Sequence, residues 1–378
     1  MQVTIVVTHL LGTGHLARAL TLGRAFAAAG DAVTVISGGR PVPHFSTDNL
    51  DFVQLPPLHS DGTDFSNLLT DAEEAADTSY LANRQNALLA HVQDTPPDVL
   101  ITELFPFGRR TLKQEFQALL TMARALPSRP LILSSIRDIL APPSQPAKVT
   151  FAEELIAGTY DGVLVHSDPD VIALQESWPV SEAMQAKLHY TGFVAPPMPR
   201  AKAATGHDIV VSAGGGTVGD AVFRAAVDAA VNDRARSWHL LVGGDASRRD
   251  ALRERATENT VIEAPRPDFR QLLLAARVSV SMCGYNTALD VLQTGVRAVV
   301  VPFDDGGEVE QSLRARALSG LPGIAMIQQA DLSGDALLHA LARAAHGPDR
   351  PPRTTGMDGA GQTVAIVHDL YRRSVHGD

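Results

Sequence analysis

Short apolar runs rich in β-branched residues alternate along this chain with longer amphipathic stretches. The first stretch has helical spacing, because Leu16, Leu20, Gly23 and Ala27 recur at intervals of three and four residues and share one face. Strands that alternate with helices predict parallel sheets built from βαβ units. The predicted strands begin in a first series at Val3, Ala32, Val99, Leu131 and Gly162, and in a second series at Asp208, His239, Thr260, Val278, Ala298 and Gly323.

The series of strands and helices restarts near residue 200. The segment Val194–Arg200 is rich in proline, and the order of strand, glycine turn and helix seen at the N-terminus returns from Asp208 onward. We therefore predict an α/β protein with two doubly wound, Rossmann-like domains over residues 1–200 and 201–358, the first completed by a C-terminal helix at 360–376. Such folds bind ligands beyond the carboxyl ends of their strands, so two of them face to face would enclose a cleft.

A glycine-rich turn follows the first predicted strand of each series. Both turns fit a loose dinucleotide pattern, G-x-G-x-x-G/A, in which glycines let the backbone approach phosphate at the start of a helix. Their key residues are Gly12 and Gly14 in the first turn and Gly214, Gly215, Gly216 and Thr217 in the second. An NAD site also needs an acidic residue about twenty positions later. The first half has none there and Asp245 in the second half comes late, so a phosphate site, an NAD site and a turn without ligand all stay open.

His15 lies in the first turn of the first predicted helix, at the predicted mouth of the cleft. The unperturbed pKa of histidine is near neutrality, which suits a general base. The same position also suits a histidine that only caps or lines the start of the helix, and spacing alone does not separate these two roles.

A third strand-to-helix turn lies at Gly284-Tyr285-Asn286. It would point backbone N–H groups at the cleft. Asp290, about one helical turn further on, is placed to accept two hydrogen bonds from a ribose diol. Thr287 and Asp290 also fit the capping-box pattern, which would give the aspartate a purely structural role.

Composition narrows the classes of function. Hydrophobic residues make up 45% of the 378 residues and charged residues 20%, as in globular proteins. The formal net charge of −10 disfavours a nucleic-acid partner. Cys283 is the single cysteine, so no intrachain disulfide can form, which fits a reducing compartment. We find neither a signal peptide nor an apolar run long enough to span a bilayer, and we expect a cytoplasmic protein.

One basic stretch qualifies this picture. Such a stretch could contact an anionic membrane peripherally, although a solvated helix face is the more frequent meaning of this spacing. Its members are Arg109, Arg110, Lys113, Arg124 and Arg129.

Longer motifs resemble a bacterial family of predicted glycosyltransferases that is related to the peptidoglycan N-acetylglucosaminyltransferase. Gly284-Tyr285-Asn286-Thr287 is similar to the family's G-Y-N-T turn, and Glu310-Gln311-Ser312-Leu313-Arg314-Ala315 is similar to its E-Q-x-x-R-A segment. In the N-terminal half, the runs 12–20, 102–110 and 134–140 also resemble family signatures. The resemblance covers most of the chain and implies the GT-B fold, with two Rossmann-like domains facing across a cleft.

The resemblance implies that the C-terminal domain holds a nucleotide sugar and the N-terminal domain an acceptor. The turns at Gly214 and Gly284 would meet the diphosphate, and backbone near Ile262 would meet the base. The other implied donor contacts are Arg266 near the base, Thr217, Tyr285, Asn286 and Thr287 at the turns, Asp290 at the ribose, and Glu310 and Gln311 at the sugar hydroxyls. Asp290 stands where the peptidoglycan enzyme has a longer glutamate.

The implied reaction moves a sugar from a nucleoside diphosphate, most naturally UDP, to an acceptor hydroxyl, with inversion and without a metal or other cofactor. His15, Glu103 or Asp138 would be the catalytic base. For Glu103 and Asp138 the alternative is a structural network of ion pairs at strand ends that includes Arg137.

Three other functions stay open. The Gly12–Leu22 stretch also resembles the nucleotide-sugar hydrolase of pseudaminic acid synthesis, in which water replaces the acceptor. An NAD-dependent oxidoreductase would bind NAD rather than UDP. In a binding module with the same fold, His15→Ala would reduce ligand affinity and change nothing else.

Overall fold

The computed structural model describes residues 1–10, 12–60, 67–200, 207–213, 219–304 and 309–376, which form two compact units. The first unit comprises Met1–Pro169, Trp178–Val194 and Asp358–Asp378. The second comprises Asp170–Ser177 and Ala195–Met357. The second unit therefore takes Asp170–Ser177 and Ala195–Arg200 from within the range 1–200 that was predicted for the N-terminal domain.

The first unit is built on a parallel sheet of seven strands in the order β3-β2-β1-β4-β5-β6-β7. The strands are β1 (Gln2–Val7), β2 (Ala32–Ser37), β3 (Asp51–Gln54), β4 (Val99–Glu103), β5 (Leu131–Arg137), β6 (Gly162–His166) and β7 (Leu188–Tyr190). The helices are α1 (Gly14–Ala28), α2 (Thr78–Asp94), α3 (Lys113–Ala125), α4 (Pro146–Gly158), α5 (Glu182–Gln185) and the C-terminal α12 (Gly359–His376).

The core of the first unit forms because the strands are apolar on both faces, as strands covered by helices on both sides must be. Ile5 and Leu133 are fully buried in the sheet and Phe26 on α1 packs against it. The predicted apolar face of α1 is largely confirmed, because Leu16, Leu20 and Gly23 are buried, while Ala27 is half-buried.

The C-terminal helix belongs to the first unit. Val367 of α12 lies in the core beside the first strands. Nε2 of His368 lies 2.7 Å from Oδ2 of Asp31, and the hydroxyl of Tyr371 donates to Asp98 at 3.1 Å. These contacts tie the last helix of the chain to the turns around the first strands.

The second unit has a parallel sheet of six strands in the order β10-β9-β8-β11-β12-β13. The strands are β8 (Ile209–Ser212), β9 (Trp238–Leu241), β10 (Thr260–Glu263), β11 (Val278–Ser281), β12 (Arg297–Val300) and β13 (Ile324–Met326). The helices are α6 (Asp220–Asn232), α7 (Ala246–Arg253), α8 (Phe269–Ala275), α9 (Tyr285–Thr294), α10 (Glu310–Ser319) and α11 (Gly334–His346). Trp238, Phe223 and Leu337 are buried at the centre of its core.

Both sheets have the doubly wound order in which the third, second and first strands precede the fourth. Each strand predicted from the sequence is present and begins within one residue of its predicted start. Two further strands, β3 and β7, were not predicted, and both lie at sheet edges. None of the helices in the described part of the chain combines the length and the apolar character that crossing a membrane requires.

Candidate active site

A histidine and a glutamate meet at the carboxyl edge of the first sheet. His15 lies in the first turn of α1, directly beyond β1, and Glu103 is the last residue of β4. β1 and β4 are neighbours where the strand order reverses, which is where doubly wound folds bind ligands. Nδ1 of His15 lies 2.9 Å from Oε1 of Glu103. Two of the three candidate bases predicted from the sequence therefore form one pair.

Glu103 is held inside the unit as a carboxylate. Its side chain is 1% exposed, and it accepts hydrogen bonds from Nη2 of Arg18 on Oε1 and from the hydroxyl of Ser135 on Oε2 at 2.6 Å. Burial raises the pKa of Glu103, but the charge of Arg18 and the hydrogen bonds from His15 and Ser135 outweigh it and hold the pKa well below its ordinary range. The side chain is therefore charged at neutral pH and can only accept hydrogen bonds.

The carboxylate decides which nitrogen of His15 carries the proton. Because Glu103 can only accept, Nδ1 of His15 must be the donor in their contact, and Nη2 of Arg18, 3.2 Å from the same nitrogen, has no lone pair to offer. Burial lowers the pKa of His15 to about 4, although Glu103 raises it and Arg18 lowers it further. At neutral pH the ring is uncharged, and Nε2 presents a lone pair that can accept a proton.

The other N-terminal candidates lie at the same edge. Asp138 directly follows β5 and is 1% exposed. Gly12 and Gly14 are exposed, and a Cβ atom added to either would meet no atom within 4 Å. Thr13, the N-cap of α1, makes no side-chain hydrogen bond to the first turn. The fold itself does not require glycine here, so the glycines leave space open above the start of the helix.

A buried arginine, which the sequence analysis did not identify, holds the loops around this edge. Arg84 of α2 is fully buried and pairs with Glu115 of α3 through Nε at 2.7 Å and Nη2 at 3.2 Å. Its Nη1 donates to the carbonyls of Gly38 at 2.8 Å and Pro56 at 2.6 Å, and Nη2 donates to the hydroxyl of Thr8 at 2.9 Å. One side chain thus fixes the segments that follow β1, β2 and β3.

In the second unit, Gly284 begins α9 directly beyond β11. Gly284 is the N-cap, and no side chain caps the first turn. A Cβ atom at Gly284 would meet nothing within 4 Å. Tyr285 and Asn286 are the first two residues of the helix, so Thr287 is its third residue. The capping-box interpretation of Thr287 and Asp290 is therefore wrong, because the helix begins three residues too early for it.

Asp290 forms an ion pair on the inner side of α9. Its Oδ1 lies 2.8 Å from Nε of Arg270. The same arginine donates through Nη1 to the carbonyl of Pro197 at 2.7 Å and through Nη2 to Oε1 of Gln293. Burial raises the pKa of Asp290 to about 6, although Arg270 lowers it. The carboxylate is thus already oriented by a cation and titrates near neutral pH.

Side chains of the E-Q-x-x-R-A segment form hydrogen bonds with the backbone just before the Gly284 turn. Oε1 of Gln311 accepts from the N–H groups of Cys283 at 3.0 Å and Phe303 at 3.2 Å. Nη1 of Arg314 donates to the carbonyl of Cys283 at 3.0 Å, and its guanidinium lies 5.8 Å from the ring centroid of Tyr285. Gln311 and Arg314 are one turn apart on α10, so one helix face holds the strand ends of both β11 and β12. We call this group the α10 clamp.

Three further residues were predicted to contact the nucleotide-sugar donor. Ile262 is buried in β10. Arg266 pairs with Glu263 at 3.1 Å and with Asp268 at 2.7 Å, and these hydrogen bonds raise its pKa above the ordinary range. Glu310 is the first residue of α10 and is half-buried.

The glycine turn of the second unit lies outside the described residues at Gly214, Gly215, Gly216 and Thr217. Asp245, the late acidic residue weighed for an NAD site, caps α7, and its carboxylate accepts from the N–H of Arg248 at 3.1 Å. The carboxylate of Asp245 therefore has a structural role as the N-cap of α7. In the described part of the chain, no group of three or more His, Cys, Asp and Glu side chains could hold a metal ion.

Four arginines of the basic stretch bind protein groups. Arg109 donates to the carbonyl of Thr8 at 2.5 Å, Arg110 to that of Phe107 at 2.5 Å and Arg124 to that of Gly158 at 2.8 Å, while Arg129 pairs with Asp161 at 2.8 Å. These four arginines therefore all make contacts within the first unit.

A comparison with known protein families finds a match for most of the second unit. Residues 210–367 match the glycosyltransferase family 28 C-terminal domain. A curated relative from Brucella anthropi, the UDP-N-acetylglucosamine–N-acetylmuramyl-(pentapeptide) pyrophosphoryl-undecaprenol N-acetylglucosamine transferase, is 30% identical over 146 residues. That match spans 36% of this chain and 38% of the relative.

Several solved structures resemble this chain over nearly its whole length. MurG of Acinetobacter baumannii has a TM-score of 0.62 at 14% identity, covering 98% of this chain and 100% of that one. Arabidopsis thaliana UGT89C1 complexed with UDP has a TM-score of 0.61 at 15% identity, covering 98% and 99%. The glycosyltransferase VinC in complex with dTDP has a TM-score of 0.58 at 16% identity, covering 100% and 98%. The prediction of two Rossmann-like domains of the GT-B type is confirmed.

Proposed function

We propose that this chain, which carries a glycosyltransferase family 28 C-terminal domain and is related to the lipid II-forming N-acetylglucosaminyltransferase, transfers a sugar from a nucleoside diphosphate sugar to an acceptor hydroxyl. The observation that carries the chemistry is the pairing of His15 with Glu103 at the strand-order reversal of the first sheet. It supplies an uncharged imidazole whose orientation is fixed and whose Nε2 can take a proton.

In the proposed reaction the acceptor oxygen attacks the anomeric carbon while the bond from that carbon to the diphosphate oxygen breaks. Nε2 of His15 takes the acceptor proton, and the resulting imidazolium is stabilised by Glu103, which stays ionised. The bonding electrons leave with the diphosphate. We assign Glu103 the orienting role and not that of the base itself, because its oxygens are engaged by Arg18, His15 and Ser135. Asp138 is an alternative base only if His15 proves dispensable.

The donor is proposed to lie at the carboxyl edge of the second sheet. The open space over Gly284 and the uncapped start of α9 suit a diphosphate, which backbone N–H groups and the positive helix end would stabilise as it leaves. The resemblance also assigns the diphosphate to the turn at Gly214–Thr217, the base to Ile262 and Arg266, and the sugar to Glu310 and Gln311. The UDP-sugar named for the Brucella relative and the UDP in the Arabidopsis structure support UDP as the nucleotide.

We propose that the carboxylate of Asp290 accepts hydrogen bonds from the ribose diol, and the titration of Asp290 makes this assignment testable. A carboxylate accepts both diol hydrogens, whereas a protonated carboxyl gives up one acceptor position and its charge. Since burial raises the pKa of Asp290 to about 6, nucleotide affinity should be full above pH 7 and fall as pH drops through about 6. Asp290→Asn should bind weakly at all pH values. Isothermal titration calorimetry with UDP between pH 5 and 8 measures this, and an affinity that does not change with pH would remove Asp290 from the ribose site.

The finer features stay predictions with tests of their own. Inversion is read from the anomeric configuration of the product by NMR. Independence of metal predicts full activity in the presence of a chelator. An acceptor hydroxyl is proposed from the resemblance, and a cytoplasmic location stays an expectation from the sequence.

The decisive experiment combines binding and turnover. Thermal-shift titrations with UDP, dTDP, UDP-sugars and NAD measure binding, because a ligand that binds only the folded state raises its stability. UDP should stabilise the wild type and His15→Ala alike, and Asp290→Asn much less. The matched control is Asp228→Asn, which breaks an exposed aspartate–arginine pair on α6 and should behave as the wild type. UDP release from UDP-sugars, with and without a panel of acceptor alcohols, measures turnover.

His15→Ala should lower turnover by about 10² to 10⁴-fold, the usual contribution of a general base. Unchanged turnover in this variant would overturn the role of His15. Release of free sugar at the same rate with and without acceptors would identify a nucleotide-sugar hydrolase. Stabilisation by NAD but by no nucleoside diphosphate would overturn the donor class. Binding of UDP without turnover of any donor would leave a binding module.

A further inference from the structure

A buried line of polar side chains continues from Glu103 across the first sheet. Glu103 ends β4, Ser135 lies on β5, His166 ends β6, and Thr191 directly follows β7. These strands are successive neighbours in the sheet. The hydroxyl of Ser135 lies 2.6 Å from Oε2 of Glu103 and 2.9 Å from Nε2 of His166, and Nδ1 of His166 lies 2.9 Å from Oγ1 of Thr191. Four neighbouring strands thus contribute one polar group each, at or near their carboxyl ends.

The line is costly unless every contact in it is satisfied. Ser135 and His166 are fully buried and Thr191 is 2% exposed. An apolar residue at each strand end would need no partner, whereas a buried polar group without one is destabilising. The line reaches the carboxylate on Oε2, the oxygen that does not face His15.

Counting protons gives the line one direction. Glu103 is ionised and only accepts, so the single hydroxyl proton of Ser135 points to it. Ser135 can then only accept from His166, which must carry its proton on Nε2. Nδ1 of His166 is left as an acceptor for the hydroxyl of Thr191, which also lies 2.8 Å from the carbonyl of Gly192 and shares its proton between the two. The donors of Ser135 and His166 therefore both point toward Glu103.

We propose that Ser135 and His166 are positioning residues for the catalytic base: they fix the orientation and the charge of Glu103, and through it the tautomer and the basicity of His15. This inference rests on the proposed function. A hydrogen bond to one carboxylate oxygen withdraws charge from the other, so the line also tempers the attraction of Glu103 for a proton on His15. Without Ser135 the carboxylate becomes more basic, and protonation of the pair should begin at a higher pH.

The adjacent Ser134 provides a matched control. It is also fully buried on β5, and its hydroxyl donates to the carbonyl of Phe105 at 2.8 Å instead of to Glu103. Ser134→Ala and Ser135→Ala each remove one buried hydroxyl from the same strand. A merely structural role predicts similar losses of thermal stability and no difference in pH dependence between them.

The test measures the pH profile of kcat/KM for donor turnover in both variants. Ser135→Ala should lower kcat by about 10-fold to 100-fold, the factor expected for one hydrogen bond to a charged group, with little change in the donor KM. Its acid limb should move up by about one pH unit. Ser134→Ala should keep the acid limb of the wild type. His166→Leu should resemble Ser135→Ala, and His166→Gln, whose amide can still donate to Ser135, should recover most of the activity.

A second readout needs no substrate. Titration of ¹⁵N-labelled histidine by NMR, with His15→Gln used for assignment, reports the tautomer and the pKa of His15 directly. If no donor is turned over, the proposed function fails, and an upward shift in Ser135→Ala alone still supports the positioning role. If turnover is found but the kinetic and NMR profiles of Ser135→Ala and Ser134→Ala coincide, the positioning role is overturned while the proposed function stands.

Discussion

Replacing Gln311 separates two roles that one side chain can have. The sequence resemblance assigns Gln311 to the hydroxyls of the donor sugar, whereas its Oε1 accepts from the N–H groups of Cys283 and Phe303. Because both partners are donors, the amide must present its oxygen to them and its nitrogen elsewhere. The two contacts therefore use only the oxygen of the amide, and the Nε2 group is the part of the side chain that is proposed to bind the sugar.

The cost of Gln311→Ala follows from these two contacts. Cys283 is fully buried, so its N–H would lose its partner at a cost of about 1–3 kcal/mol. Phe303 is half-buried, and water can replace part of what its N–H loses. We expect a total loss of about 2–4 kcal/mol in the unfolding free energy of the second unit, together with weaker UDP binding, since the backbone before Gly284 is no longer held.

Gln311→Glu keeps the acceptor and removes the donor. A carboxylate can accept from both N–H groups, so stability should return to within about 1 kcal/mol of the wild type. UDP-sugar affinity should stay low, because the amide N–H that is proposed to bind a sugar hydroxyl is gone. Urea unfolding followed by tryptophan fluorescence measures the stability, and calorimetry with a UDP-sugar measures the affinity. Arg316→Ala, an exposed change on the same helix, is the control and should change neither.

Gln311→Glu as unstable as Gln311→Ala would refute the clamp, because the acceptor oxygen would then not be what matters. Gln311→Glu with both stability and UDP-sugar affinity of the wild type would keep the clamp and remove Gln311 from the sugar site.

Two further predictions concern the first unit. Gly38→Ala should cost at least about 2 kcal/mol and lower Tm, because its Cβ would overlap the guanidinium of Arg84, while Gly158→Ala, with open space at the end of α4, should be neutral or slightly stabilising. The unfolding free energy should fall as pH drops from about 6.5, because burial lowers the pKa of His15 to about 4 and of His166 to about 3, so in that window the unfolded chain binds protons that the folded chain does not. Urea unfolding at pH 7 and pH 5 should show a smaller difference for His166→Gln than for the wild type, and equal differences would contradict the buried neutral histidine.

The strands were predictable where burial on both faces leaves a continuous apolar run. β3 (Asp51–Gln54) and β7 (Leu188–Tyr190) escaped prediction because each is an edge strand with a neighbour on one side only, and its short sequence mixes polar and apolar residues. Propensity is weakest for such strands, since their pairing depends on the sheet that is already there.

The site was predictable in its residue types more than in its contacts. His15 and Glu103 were both candidate bases, but spacing in sequence cannot show that residues 88 positions apart form one pair. For Arg84 a signal existed, because it shares the buried phase of α2 with Leu88 and Val92 at intervals of four. An arginine in the apolar phase of a helix indicates a buried partner, which is Glu115. For His166 the signal was a polar residue closing an apolar strand.

Both units solve the same problem at the carboxyl edge of the sheet, where a ligand is proposed to bind. Beyond the last residue of a parallel strand the backbone has no ladder partners, and a covering layer that supplied them would close the site. In each unit a long planar side chain reaches the loops from a neighbouring helix and satisfies several backbone groups at once. Arg84 does so beyond β2 and β3 and also donates to the hydroxyl of Thr8 beyond β1, and Gln311 with Arg314 does so beyond β11 and β12. Because Arg84 and Arg314 hold the loops without an assigned ligand contact of their own, changing either should weaken ligand binding through the loops alone.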